Sequence, residues 1–149
     1  MATISNVESP FNSSLGYGMT SPRTDDVPGG VIAAMIDTSV KNMASSDVYE
    51  AINIPAGAIV IAAGVVCLTA EGATATVDLG DGDDPDGFID AANVNSAGLS
   101  SSSIQDDGTF VYSGGRYYSS DDTIDVTAKA ALDAAKFVVW CKYILTNLN

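Results

Sequence analysis

An all-β fold, a single β-sandwich of jelly-roll type with an extended N-terminal arm, is what this sequence predicts, and three observations predict it. Short runs rich in β-branched or alternating residues recur between Gly, Pro, Asn and Asp turn formers from Val31 onward. No long amphipathic helical period interrupts them. No repeat of fixed length appears, which disfavours a propeller or solenoid and leaves a sandwich as the way to pair about eight short strands.

Residues 1–30 differ from the rest. They hold three prolines and four glycines with no sustained period, yet Ile4, Val7, Phe11, Leu15, Tyr17 and Met19 punctuate the turn formers. A solvated tail is normally poorer in such side chains. The reading is an extended arm over 1–30 that docks its apolar residues, with 31–149 as the sandwich. Val31–Val40 is the first predicted strand, and Val48–Ile54 alternates as the second. Ile54-Pro55-Ala56-Gly57 then turns the chain, because proline presets φ and glycine tolerates positive φ. Ala58–Thr69 is apolar and β-branched but too short to cross a bilayer as a helix. In the next strand Thr74, Thr76 and Asp78 alternate with Ala75, Val77 and Leu79, the period of a half-buried strand.

An acidic loop follows, then a short segment at Phe88–Ile89 and a Ser-rich loop over Asn95–Ser103. Thr109–Tyr112 and Arg116–Ser119 flank Gly114-Gly115 and read as a hairpin. Of Tyr117 and Tyr118, one ring is expected inward and one outward. Thr123–Ala128 alternates again, while Lys129–Ala135 has helix propensity but is too short for a stable helix and reads as a loop or single turn. In the last strand Phe137, Val139, Cys141, Tyr143 and Leu145 share one face. Lys136, Val138, Trp140, Lys142 and Ile144 share the other, so the first face should point inward. Trp140 on the outer face then needs a cover, either a partner or the arm.

One domain is the default at 149 residues, large enough to form a core without disulfides or metal. With 19 acidic residues against 6 basic ones the net charge is −13, which repels phosphate backbones and anionic lipid, so no nucleic-acid or membrane partner is expected. Cys67 and Cys141 lie in apolar strands and read as buried thiols. No cationic segment followed by an apolar one marks a secretory signal, which favours a reducing compartment. The absence of histidine removes the Ser-His-Asp and Cys-His constellations and the commonest general base. The pairs Asp106-Asp107 and Asp121-Asp122 sit in turn contexts, and neighbours on a strand point to opposite faces, so neither converges on a bond to be hydrolysed. No enzyme is expected.

The segment 78–90 places six aspartates in thirteen residues. Asp81, Asp83, Asp84 and Asp86 are the calcium candidates, since a hard cation takes several carboxylate oxygens. The EF-hand pattern fails: with Gly87 at the sixth position, Gly82 and Asn93 stand where carboxylates are needed. The favoured reading is a solvated turn that uses Asp and Gly for their backbone geometry, with no metal and no cofactor.

Taken together, Ile-Pro-Ala-Gly (54–57), Thr-Val-Asp-Leu-Gly-Asp-Gly-Asp-Asp-Pro-Asp-Gly-Phe (76–88), Tyr-Tyr followed by Asp-Thr-Ile-Asp-Val (117–118, 122–126) and Lys-Phe-Val-Val-Trp-Cys-Lys-Tyr (136–143) resemble the small capsid decoration or cement proteins of tailed bacteriophages. The resemblance covers about residues 50–145 and is one of arrangement. It implies a β-rich, often trimeric virion protein on the capsid surface, assembled in the host cytoplasm, that bridges neighbouring copies of the major capsid protein. Phe11, Leu15, Tyr17, Met19 and Trp140 are then the expected partner-binding residues. The alternative is a receptor- or carbohydrate-binding domain of a phage tail or fibre, assisted by calcium.

Overall fold

The computed structural model describes residues 3–5, 29–72, 74–98, 100–103, 108–112 and 114–146. It is an all-β sandwich of two sheets. Sheet A orders β1 (Thr3–Ser5), β3 (Val48–Ile54), β9 (Asp122–Ala128), β5 (Thr76–Gly80) and β6 (Ile89–Asn93). Sheet B orders β2 (Gly29–Asp37), β10 (Lys136–Leu145), β4 (Ala58–Thr69) and β7 (Ser100–Ser102), and β8 (Arg116–Tyr117) shares the outer edge of β4 with β7.

Apart from β1 and β8, eight strands remain, and their pairing has a rule. The first pairs with the eighth (β2 with β10), the second with the seventh (β3 with β9), the third with the sixth (β4 with β7) and the fourth with the fifth (β5 with β6). All four ladders are antiparallel. A long antiparallel ribbon wrapped over itself produces this order, which is the connectivity of a jelly roll. β1 departs from it, adding to the edge of β3 in parallel, with Ile4 opposite Tyr49.

The core lies between the sheets. Alternation in β10 buries Phe137, Val139, Cys141 and Tyr143, as their spacing predicts, and Leu145 packs part-buried against the same cluster. They meet Ile32, Ala34 and Ile36 of β2, then Ile52, Ile54, Val77, Leu79, Ile124 and Val126 from sheet A. Cys67 and Cys141 are both buried and free. Cys67 has its thiol pushed up by burial, and burial pushes that of Cys141 up to about 12. The Pro55–Ala58 turn closes with a 3.2 Å bond from Ala58 N–H to the Pro55 carbonyl, and Gly57 supplies φ of 83°. At the opposite end the 130–135 loop is held by Glu71, whose carboxylate accepts the N–H groups of Asp133, Ala134 and Ala135.

Three expectations are corrected. Thr109–Tyr112 is not a hairpin strand but one helical turn, α1. Phe110 N–H bonds the Gly87 carbonyl at 2.9 Å and its ring packs edge-on against Phe88, so tertiary contact overrides the β propensity of Phe-Val-Tyr. The Ser-rich loop contains a strand, β7, which pairs with Gly64, Val65 and Val66. The strand predicted over 31–40 begins at Gly29 and ends at Asp37, where the chain turns. Of the arm, β1 and the Gly29–Gly30 start of β2 are described. Phe11, Leu15, Tyr17 and Met19 lie outside the described residues, as do Asp106 and Asp107.

Candidate functional site: a polar clasp and two unlike outer faces

The acidic loop is built around Asp81. Its backbone follows β5, where Gly80 packs so closely on the Asp84–Pro85 backbone that a Cβ would overlap it. Asp81 is buried while Gly82, Asp83, Pro85 and Asp86 around it are exposed, so this solvated turn is anchored by one buried carboxylate. Its Oδ1 accepts the N–H groups of Asp83 (3.0 Å) and Asp84 (2.9 Å), an Asx arrangement that fixes the turn. Its Oδ2 accepts from Arg116 Nε at 3.0 Å and from the Tyr118 hydroxyl at 3.0 Å. Arg116 Nη2 also reaches Asp83, and its guanidinium lies 4.8 Å from the centre of the Phe110 ring. Burial first, then the Asp81 charge, raises the Tyr118 hydroxyl far above the ordinary tyrosine range, so it stays a donor.

Asp84 accepts a hydrogen bond from Thr109 Oγ1, which holds its carboxyl below the usual range. Asp86 is exposed, and the adjacent Asp84 carboxyl pushes it up. Both Asp81 oxygens are therefore engaged by protein donors. Among the described residues no group of three or more His, Cys, Asp or Glu is placed to hold a metal ion. The clasp binds the 81–88 loop to α1 and β8 and so closes one end of the sandwich. Its key cation, Arg116, escaped the sequence reading because 35 residues separate it from Asp81. Tyr118 points inward and Tyr117 outward, as the pairing of the two rings predicts.

The two outer faces differ sharply. On sheet A, Glu50, Asn53, Asp78, Asp90, Thr123, Asp125 and Thr127 fall between core positions or at bulges, giving a polar, acidic outer face on which Asn53 and Asp90 are exposed while Asp78 and Asp125 are buried. Lys129 is its cation, bridging Asp78 at 2.8 Å and Asp90 at 3.3 Å. Glu50 stands directly opposite Asp125 in the ladder. Burial, reinforced by Glu50, Asp122 and Asp81, pushes Asp125 up to about 6 although Thr123 Oγ1 donates to it at 2.6 Å.

On sheet B the outward rows are apolar. Ala33, Trp140 and Gly64 form one row, Met35, Val138 and Val66 the next. The indole of Trp140 lies over Gly64, where any Cβ would overlap it, so part of its cover comes from its own sheet. Among the described residues, six of the seven exposed large hydrophobic residues (Val31, Met35, Ile61, Leu68, Tyr117 and Ile144, from 38% to 67% exposed) belong to sheet B strands; the seventh, Val40, is in the turn after β2.

No family model matches the sequence, and no curated protein matches it. The fold does resemble solved chains. One comes from the capsid of Ralstonia phage GP4, with 17% identity, a TM-score of 0.64, and 98% of this chain and 99% of that one covered. A second comes from the acidic stable capsid structure of Helicobacter pylori bacteriophage KHP30, with 17% identity, a TM-score of 0.59, and 82% and 90% covered. A third comes from the cyanophage Pam1 capsid asymmetric unit, with 14% identity, a TM-score of 0.53, and 86% and 93% covered. At these identities the likeness is one of fold, and it runs nearly end to end.

Proposed function

We propose that this protein is a non-enzymatic structural component of a tailed-phage virion that decorates or cements the capsid exterior by bridging neighbouring major capsid proteins. One observation carries the reading: the fold match to a chain of the Ralstonia phage GP4 capsid covers 98% of this chain and 99% of that one, so the whole molecule, not a shared module, is alike. The two further matches also come from capsids, which favours the head over a tail or fibre. A shell under internal pressure gains strength from a clamp across its subunit boundaries. A rigid sandwich suits that task, and an arm over 1–30 with Phe11, Leu15, Tyr17 and Met19 suits a grip on a neighbouring subunit, its ordering cost met on binding. Closed threefold association of identical chains completes the proposal, which places the protein on the virion surface after assembly in the host cytoplasm.

The test is binding to shells that lack this protein. Saturable occupancy by the full chain, reduced by deletion of 1–28 while the sandwich stays folded by circular dichroism, is the expected result. Undiminished occupancy by the truncated chain removes the arm from the account, and no occupancy by the full chain removes the shell.

A further inference from the structure

We infer that the outer face of sheet B, centred on Trp140, is the surface by which this protein docks, and that its partner is a different protein presenting an apolar surface with a carboxylate opposite Lys142. This rests on the shell-binding reading and makes that partner a shell subunit.

Segregation of side chains comes first. Exposed apolar side chains concentrate on sheet B, while the opposite face of the sandwich is acidic. Monomers seldom leave a large contiguous apolar patch open to water. Shape comes next. Ala33 and Gly64 flank Trp140 in its row, so the indole lies against the sheet as a plate, with Val31, Met35, Val138 and Ile144 around it. A broad aromatic on a flat apolar field is the composition of an interface centre.

Charge selects the partner. In a chain of net charge −13, the described strands of this face carry one carboxylate, Asp37, and Lys136 neutralises it at 2.7 Å. Lys142 is exposed in the row beside Trp140, and no salt bridge engages it among the described residues. The face is thus net positive on an acidic molecule. Two copies meeting face to face would bring two faces of the same charge sign together. Head-to-tail packing that used this face would need a second apolar patch to receive it, and among the described residues the remaining exposed large hydrophobic is Val40 alone. A foreign surface with a carboxylate answers both constraints, because opposite charges across an interface guide association and set register.

The experiment measures binding of Met35→Asp, Ile144→Asp and Lys142→Glu proteins to undecorated shells, with Asn53→Asp on the acidic face as control. Each sheet B variant should lower affinity by about tenfold or more. The control should bind as the parent does, and sedimentation of the free proteins should be unchanged. Lys142→Glu alters an exposed side chain and keeps the test decisive if an aspartate within the sheet prevents folding. Parent-like binding by these variants, while the parent itself binds, overturns this inference alone; a parent that ignores the shells overturns the shell reading with it. A changed association state in the free variants assigns the face to a second copy. A red shift of Trp140 emission on deleting residues 6–28 assigns it to the chain's own segment. Either result overturns the proposal.

Discussion

Asp81 shows how much one carboxylate organises. It accepts from two backbone N–H groups, a guanidinium and a phenol, all within 3.0 Å. Asp81→Ala leaves the buried Tyr118 hydroxyl without its acceptor while Arg116 keeps Asp83, and should cost about 1–3 kcal/mol, the range for a buried donor left unsatisfied. Denaturant melts check this. Asp125 sets a pH dependence whose sign follows from its raised value. Its folded pKa of about 6 exceeds the ordinary 3.8, so the folded state keeps a proton that the unfolded chain releases between those limits. The stability this contributes is full below about pH 4 and is lost as pH rises through about 6. Asp125→Asn retains an oxygen for Thr123 and removes the charge. It should therefore melt higher than the parent at neutral pH, with the gap closing near pH 4. A gap independent of pH would show that burial and the Glu50 charge do not act as described.

At the scale of elements, β10 was legible because its alternation is unbroken over ten residues, and the structure buries the predicted face. Phe137 is fully buried, so Phe137→Ala should cost about 3–5 kcal/mol through the cavity it leaves. Lys142 is exposed on the other face, and Lys142→Ala should cost less than about 0.5 kcal/mol in the free protein. Comparable losses in denaturant melts would mean that the faces are exchanged. The elements that misled owe their state to distant partners. Serines give β7 no apolar period, and it exists through pairing with β4. Phe110 has strand propensity, yet the Gly87 carbonyl and the Phe88 and Arg116 side chains draw it into a helical turn. Gly64 is the counterpart that no local pattern reveals, since its role is to seat Trp140 across the ladder. Gly64→Val should lift the indole from the sheet and red-shift its emission, and an unchanged spectrum would show that the ring does not depend on that seat.

At the scale of the molecule, turn-punctuated apolar runs foretold a sandwich, and the strand pairing supplies the jelly-roll order that no run of residues displays. The contrast between an acidic sheet A face and an apolar sheet B face is a property of register, because it emerges only when two strands align Val31, Met35, Trp140, Val138 and Ile144. Alternation within each strand hinted at it, as with the outward Trp140, but could not add the rows together. A two-faced sandwich with one apolar side fits a molecule that lies on a larger surface and turns its acidic side to solvent. The measurement that tests this most directly is the number of copies per purified virion, counted by quantitative mass spectrometry against the major capsid protein. A head decoration protein predicts copies in a fixed simple ratio to the capsid lattice, on the order of hundreds per particle. A handful of copies per particle, or none, would contradict it.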